Sequence, residues 1–275
     1  MTAADDPNAY EQAQVLVTVK TYPTPSERHL ETVCVAGVRL DTPQPEWIRL
    51  YPIPFRVAAF KGYQFKKYQV IDVPIRPRGG KDVRPESYQP QNDKIVLGDV
   101  VDSKVKWKRR KELLGALVGQ TTSCELLHIN RETTWDLPAP SLGLVKPRDV
   151  TLSITEGKPW SDKQRAKAER AVEPDLFTTE AQIHNALEPA PYQLKVKYRC
   201  MSDKCRWHNQ SIIDWEVGSA AYNWRKLYPE NEIGDRLYDK WAGMMDGSTD
   251  LHFYVGNQHQ HRQSFSILGT WSPKI

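Results

Sequence analysis

The sequence predicts an α+β protein in two parts: a small β-barrel region over residues 15–155 and a C-terminal α+β module over residues 191–275. Three observations lead there. Short runs alternating β-branched with polar residues crowd the first half, and helical periodicity gathers in the last third. Twenty Pro in 275 residues set turns too densely for a helical bundle. Nine Trp and twelve Tyr supply bulk for a core and leave aromatic faces to spare at the surface.

Residues 1–14 are polar and acidic, which predicts a disordered lead and contains no apolar stretch for a signal peptide. Residues 15–22 (VLVTVKTY), 32–40 (TVCVAGVRL) and 47–51 (WIRLY) read as strands, separated by turns carrying Pro23, Pro25, Pro43 and Pro45. Residues 65–75 hold another strand, which Pro74 sets at an edge. Over residues 104–119 the period changes: Leu113, Leu114, Leu117 and Val118 share a helical stripe that Gly119 ends. Strand character returns at 141–155. Residues 156–190 are charged and Pro-flanked, a linker or insertion in which Ser161 caps a short helix. Residues 192–198 alternate as a strand, 214–228 and 231–245 read as helices, and 251–255 and 264–271 as closing strands.

No apolar run approaches ~18 residues, so no membrane span is expected and the chain is assigned to the cytoplasm. Its four Cys are then expected reduced, and Cys at short spacing read as metal ligands before disulfides. Cys200, Cys205 and His208 form a Cys-x4-Cys-x2-His knuckle, three zinc-type donors within nine residues. Zinc takes four. His252 is the expected fourth, with His259 and His261 as further candidates and Cys34 and Cys124 as remote alternatives. Such a closed set, with no position left for water, is structural zinc. Asp214 and Glu216 come after the knuckle, and with His252, His259 and His261 they could serve acid–base or metal-assisted hydrolysis. Alternatively Asp214 is a helix N-cap with Glu216 in the first turn.

The net charge of +4 is mildly basic. Lys104, Lys106, Lys108, Arg109, Arg110 and Lys111 place six cations in eight residues around Trp107, a stripe suited to phosphate. Lys61, Lys66 and Lys67 interleave with Tyr63 and other aromatics, the combination by which single strands are bound without sequence reading.

Residues 33–56 (VCVAGVRLDTPQPEWIRLYPIPFR) resemble the opening of bacterial dual OB-fold proteins, and Asp82–Ser87 and Ser141–Pro147 are similar to later landmarks of that group. The resemblance covers about residues 15–155 and implies OB-like barrels and nucleic-acid binding. Residues 198–273 resemble a module of uncharacterised bacterial proteins with a Cys…Cys-x-x-His, an Asp-Trp-Glu and a His-x-His hairpin; it implies one shared site.

The expectation is an OB-like barrel region followed by a zinc-knuckle module, binding single-stranded or non-duplex nucleic acid in a bacterial accessory or defence role. A metal-dependent nuclease using Asp214, Glu216, His252, His259 and His261 is the alternative. An adaptor docking an acidic protein partner is the third.

Overall fold

The computed structural model describes residues 9–26, 30–54, 64–79, 82–170, 172 and 186–275. Alternating residues build seven N-terminal strands: β1 (Glu11–Lys20), β2 (Thr24–Ser26), β3 (Leu30–Arg39), β4 (Glu46–Pro54), β5 (Gln69–Pro77), β6 (Ser87–Pro90) and β7 (Val96–Val100). Five close into a barrel in the order β1-β3-β4-β6-β5-β1, antiparallel throughout except for the parallel pair β4–β6. Closure rests on β1 serving both edges: residues 11–16 pair with β5 and residues 15–20 with β3. A bulge between Val17 and Val19 changes the phase of the strand. Ala13, Val15 and Val17 therefore face the barrel interior with Ile48, Leu50 and Ile71, while Leu16 and Val19 face outward. Gly37 permits this crossing, since a Cβ there would collide with the Leu16 carbonyl on β1.

The chain continues through α1 (Lys104–Leu114), α2 (Ser123–Glu132), β8 (Leu142–Val145), β9 (Pro147–Glu156), α3 (Asp162–Arg170), β10 (Tyr192–Cys200), β11 (His208–Ile212), α4 (Trp215–Trp224), α5 (Glu230–Ala242), β12 (His252–Gln258) and β13 (His261–Trp271). The six strands form a second sheet in the order β8-β12-β13-β11-β10-β9. β8 and β9 lie at opposite edges, yet only Lys146 separates them. Cα atoms two residues apart are at most ~7.6 Å apart, so the edges must meet: Val145 pairs with Phe253 of β12, and Pro147 with Cys200 of β10. Taken as one bent strand, β8–β9 repeats the part played by β1. The parallel pair β11–β13 repeats β4–β6, so the second sheet has the connectivity of the first. α4 and α5, between β11 and β12, pack Val217, Ile233, Leu237 and Trp241 against Leu194, Val196, Phe253 and Val255.

Three expectations change. β1 begins at Glu11, inside the stretch read as a disordered lead, because residues 11–16 pair with β5; residues 1–8 lie outside the described residues. Residues 141–155 belong to the second sheet, since β8 and β9 pair with β12 and β10. The helix read over 104–119 stops at Leu114, and Val105, Lys106 and Trp107 take left-handed backbone angles in its first turn. Within 156–190, Ser161 Oγ accepts from the Gln164 N–H at 3.4 Å, the expected cap of α3. Among the described residues no helix is long and apolar enough to cross a membrane.

The two sheets meet on an apolar seam. Leu16, Val19, Ala36 and Val38 of the barrel pack against Leu142, Leu144, Tyr254, Leu268 and Trp271. Aromatic edges finish it: Trp47 meets Tyr254 at 6.2 Å between centroids, Tyr68 meets Trp107 at 5.5 Å, and Trp107 meets Trp271 at 5.2 Å. A lysine ammonium also crosses between the sheets. Lys67 Nζ donates to Asp214 Oδ2 at 3.0 Å and Glu216 Oε2 at 3.2 Å. Burial works against the Lys67 charge, but Asp214 and then Glu216 overcome it and hold the ammonium above the ordinary lysine range.

A Cβ at Gly269 would lie 3.0 Å from Asp214 Oδ2 and 3.2 Å from Lys67 Nζ. Gly269→Ala is expected to destabilise the protein by about 1–3 kcal/mol through this crowding. Gly115→Ala, whose Cβ meets nothing within 4 Å at a helical φ of −56°, is the neutral control. Urea midpoints test this, and equal midpoints for the two variants would show that the crossing tolerates the methyl.

Candidate metal centre

Four donor atoms converge at the closing end of the second sheet. Cys200 ends β10, His208 begins β11, Cys205 lies between them, and Cys124 comes from the first turn of α2. Their ligand atoms all lie within 4.8 Å of one another. A tetrahedral zinc ion at ~2.3 Å from each sulfur sets ligands ~3.8 Å apart, so the set fits such an ion after a small contraction. The knuckle is shaped by its backbone. Cys205 N–H donates to the Ser202 carbonyl at 3.0 Å, and Cys200 N–H to Cys205 Sγ at 3.3 Å. Arg148 fastens the loop from outside, donating to the carbonyls of Cys200 at 3.1 Å and Ser202 at 3.2 Å.

α2 brings the fourth donor. Thr122 caps it through a capping box with Glu125, so Cys124 stands in the first turn, where the helix dipole favours a thiolate. Cys124 Sγ lies 3.5 Å from His208 Nε2. Without a cation the thiols compete for negative charge. Burial, and after it hydrogen bonding with Cys200 and Cys205, pushes Cys124 up to about 12. Burial also opposes ionisation of Cys200, but hydrogen bonds from the backbones of Ser202 and Cys124 hold it below its ordinary value. Burial lowers His208 and keeps its imidazole neutral, the form that donates to a metal. Tyr198 forms the floor: its hydroxyl bonds Ser123 Oγ at 2.7 Å and donates to Gln210 Oε1 at 2.9 Å, and its ring lies 5.2 Å from that of His208.

The structure gathers Cys200, Cys205 and His208 and adds Cys124, from far upstream in the chain. His252 stands apart. It is buried at the start of β12, its Nδ1–H donates to the Asp250 carbonyl at 3.2 Å, and burial lowers its pKa. The signal for Cys124 was Thr122-Ser-Cys-Glu125, a capping box whose helix was not read from sequence.

The carboxylates and remaining histidines do not form a second such group among the described residues. Asp214 caps α4, with Oδ1 accepting from Glu216 N–H at 3.1 Å and Oδ2 taken by Lys67. Both oxygens are engaged, and Glu216 shares the same ammonium. His259, in the β12–β13 turn, has Nδ1 3.6 Å from Asp82, and His261 is exposed at the start of β13. Asp82 accepts from Arg84 through both oxygens at 2.8 Å and from Arg78 at 3.0 Å. Burial opposes its ionisation, but the Arg84 guanidinium, with Arg78 and His259 behind it, brings the carboxyl down to about 2.

The basic stripe is divided. Trp107 and Arg110 turn inward, Arg110 lying 3.7 Å from the Tyr68 ring centre and 4.6 Å from that of Trp107. Lys106 donates to the C-terminal Ile275 oxygen at 2.6 Å, and Arg109 pairs with Glu112. Lys66, Lys104, Lys108 and Lys111 stay at the surface. Lys61 and Tyr63 lie outside the described residues. A cationic surface not read from sequence lies on β10. Lys195, Lys197 and Arg199 share the face opposite the helices, and exposed Trp207 lies 4.7 Å from Lys197 Nζ and 5.6 Å from Arg199.

A family model described as a domain of unknown function (DUF8757) matches residues 119–275, and a second domain of unknown function (DUF8758) matches residues 11–116. The matched segments meet just past α1. No curated protein matches the chain. Among solved structures, the crystal structure of the p204 HINb domain is similar over 98% of this chain and 100% of that chain, at 7% identity and a TM-score of 0.30, too low a likeness to carry over topology or ligand.

Cys124→Ser and Cys205→Ser should each abolish stoichiometric metal in purified protein, while His252→Ala should retain it, as read by elemental analysis. Full metal in Cys124→Ser would remove that residue from the set.

Asp82 gives a pH signature. Its folded pKa is below the unfolded value of ~3.9, so its contribution is complete above pH ~4 and is lost as pH falls through about 2. Asp82→Asn leaves Arg84 buried without its anion and should destabilise by about 3 kcal/mol at pH 7, a difference that shrinks as both proteins approach pH ~2. Denaturant titrations of both between neutral pH and that acid limit test this, and a pH-independent difference would contradict it.

Proposed function

The chain belongs to the DUF8757 family, and we propose that it binds single-stranded nucleic acid, with a structural zinc ion organising the binding surface of an OB-like second barrel. The observation that carries this reading is the outer face of β9, β10 and β11, uncovered among the described residues. The helices pack on its inner side through Leu194, Val196 and Tyr198. The outer side presents Lys195, Lys197 and Arg199 in alternation, flanked by Thr151, Ser153 and Asn209. Arg199 pairs with Asp149, whereas Lys195 and Lys197 are in no ion pair among the described residues. Cations spaced along a strand suit a phosphate backbone, and Trp207, 49% exposed, offers a stacking face to a base. Faces of this kind, on the second and third strands of small barrels, are where OB-folds take oligonucleotides.

Zinc is the ion that three thiolates and one imidazole favour, in a closed site without an open position. Trp207 precedes His208, so the ion holds the stacking residue in register with the lysines. Lys104, Lys106, Lys108 and Arg109 add positive field at a distance from this face.

Trp207→Ala should weaken binding of a single-stranded oligonucleotide by ~1–3 kcal/mol and affect a duplex less. Lys195→Ala/Lys197→Ala should lower the slope of log affinity against log salt by ~0.7 per lysine, more than the same count of substitutions among Lys106, Lys108 and Arg109. Fluorescence anisotropy at several salt concentrations, with metal content checked for each variant, decides it. Unchanged affinity and slope in the double variant would remove the β10 face.

A further inference from the structure

We propose that the cleft between the two barrels is a binding site for a nucleoside phosphate. This site shares no residue with the Trp207 face and stands independently of it. The cleft has a volume of about 780 Å³, within the usual range for small-ligand sites. One wall is the outer surface of β3 and β4. The other is made by residues 157–160 and 189–193 and by the β12–β13 turn.

Its charge is one-sided. Arg49, Arg78, Arg84 and Lys158 line it. Asp82 pairs with both Arg78 and Arg84, and Glu86 adds negative field at Arg84. Asp214, also in the wall, is taken by Lys67. Arg49 is only 3% exposed and has no carboxylate within ion-pair distance among the described residues. Its Nη1 donates to Cys34 Sγ at 2.9 Å and its Nη2 to Ser141, while Nε donates to nothing among the described residues. Gly256 makes room for this guanidinium, since a Cβ there would lie 3.1 Å from Nη2. A buried guanidinium without a counter-ion is unfavourable by several kcal/mol. A phosphate dianion in the cleft supplies the missing charge, and guanidinium groups are its preferred partners.

Tyr22, Trp160 and Tyr192 bring aromatic surface into the same walls, suited to a flat base. Charge and aromatic surface together describe a phosphate and a base. The source is either a free nucleotide or the 5′-phosphorylated end of a strand.

The test is calorimetric titration of the full chain with a nucleoside 5′-monophosphate, the parent nucleoside, inorganic phosphate, and a short oligonucleotide with and without a 5′-phosphate. The expected result is that the monophosphate, or the phosphorylated oligonucleotide, binds at least about tenfold more tightly than its counterpart without phosphate. Binding of the monophosphate assigns a free nucleotide; binding of the phosphorylated oligonucleotide alone assigns a strand end. Arg78→Ala and Lys158→Ala should each weaken binding about fivefold in folded protein. Because Arg49 is buried and its replacement endangers folding, occupancy of its neighbourhood is read on the unaltered protein, where bound ligand should shield Cys34 from iodoacetamide. Trp207→Ala should keep full nucleotide affinity, whatever happens to its affinity for longer strands. No binding of any phosphate ligand at millimolar concentration would overturn the proposal. So would binding that ignores Arg78→Ala and Lys158→Ala and leaves Cys34 unprotected, or nucleotide affinity lost in Trp207→Ala.

Discussion

One residue, Lys146, stands between two strands that occupy opposite edges of the same sheet. A flat sheet of six strands, at ~4.8 Å spacing, would hold those edges some ~24 Å apart, a span no single residue bridges. The sheet must curl, and the curl sets the positions of both the core and the metal donors. It brings the end of β10 beside the start of β12, so that Tyr198 and Phe253 stack edge to face with centroids 5.2 Å apart. It also makes a closed end from which the loop between β10 and β11 projects, and the four metal donors collect there. The first barrel obeys the same constraint through β1, with a bulge in place of a linking residue.

Closure leaves each barrel with two surfaces of opposite character. The inner one is apolar by alternation. The outer one is split: β8, β12 and β13 carry Leu142, Leu144, Tyr254 and Leu268 into the seam, while β9, β10 and β11 carry Thr151, Ser153, Lys195, Lys197 and Asn209 to water. Along β12 the division is made within one strand, Phe253 and Val255 facing the helices and Tyr254 the other barrel. The proposed binding surface is the part of the outer wall that the partner barrel leaves bare.

Alternation made most strands legible. Residues 15–22, 32–40, 47–51, 192–198 and 264–271 all fall within or against observed strands, because apolar–polar period two is local information. Partition was not local. Residues 141–155 look like any other strand pair until their partners, which for β8 lie far downstream in β12, are known. The knuckle was legible because Cys200, Cys205 and His208 are close in sequence. Cys124 was visible only as a distant alternative, since nothing in a spacing rule reaches back to α2. The basic stripe at 104–111 misled in part because charge counts ignore direction: Arg110 points its guanidinium at Tyr68 and Trp107, and the left-handed turn at Val105–Trp107 breaks the expected face. The β10 cations escaped notice because Lys195, Lys197 and Arg199 are spread by alternation and no run flags them.

The seam bears on how the chain is assembled at the ribosome. Strands β1 to β7 are contiguous in sequence, so the first barrel has all its pairing partners once β7, ending at Val100, has emerged. The outward residues Leu16, Val19, Ala36 and Val38 are then complete but uncovered, and their partners Tyr254, Leu268 and Trp271 arrive only with the last strands. At the usual elongation speeds this interval lasts on the order of ten to thirty seconds. For that time the nascent protein displays an apolar surface bordered by Trp47, of the kind chaperones hold. The two barrels are therefore folding neighbours with unequal needs. The earlier one closes early and waits, and the later one is both its partner and its lid.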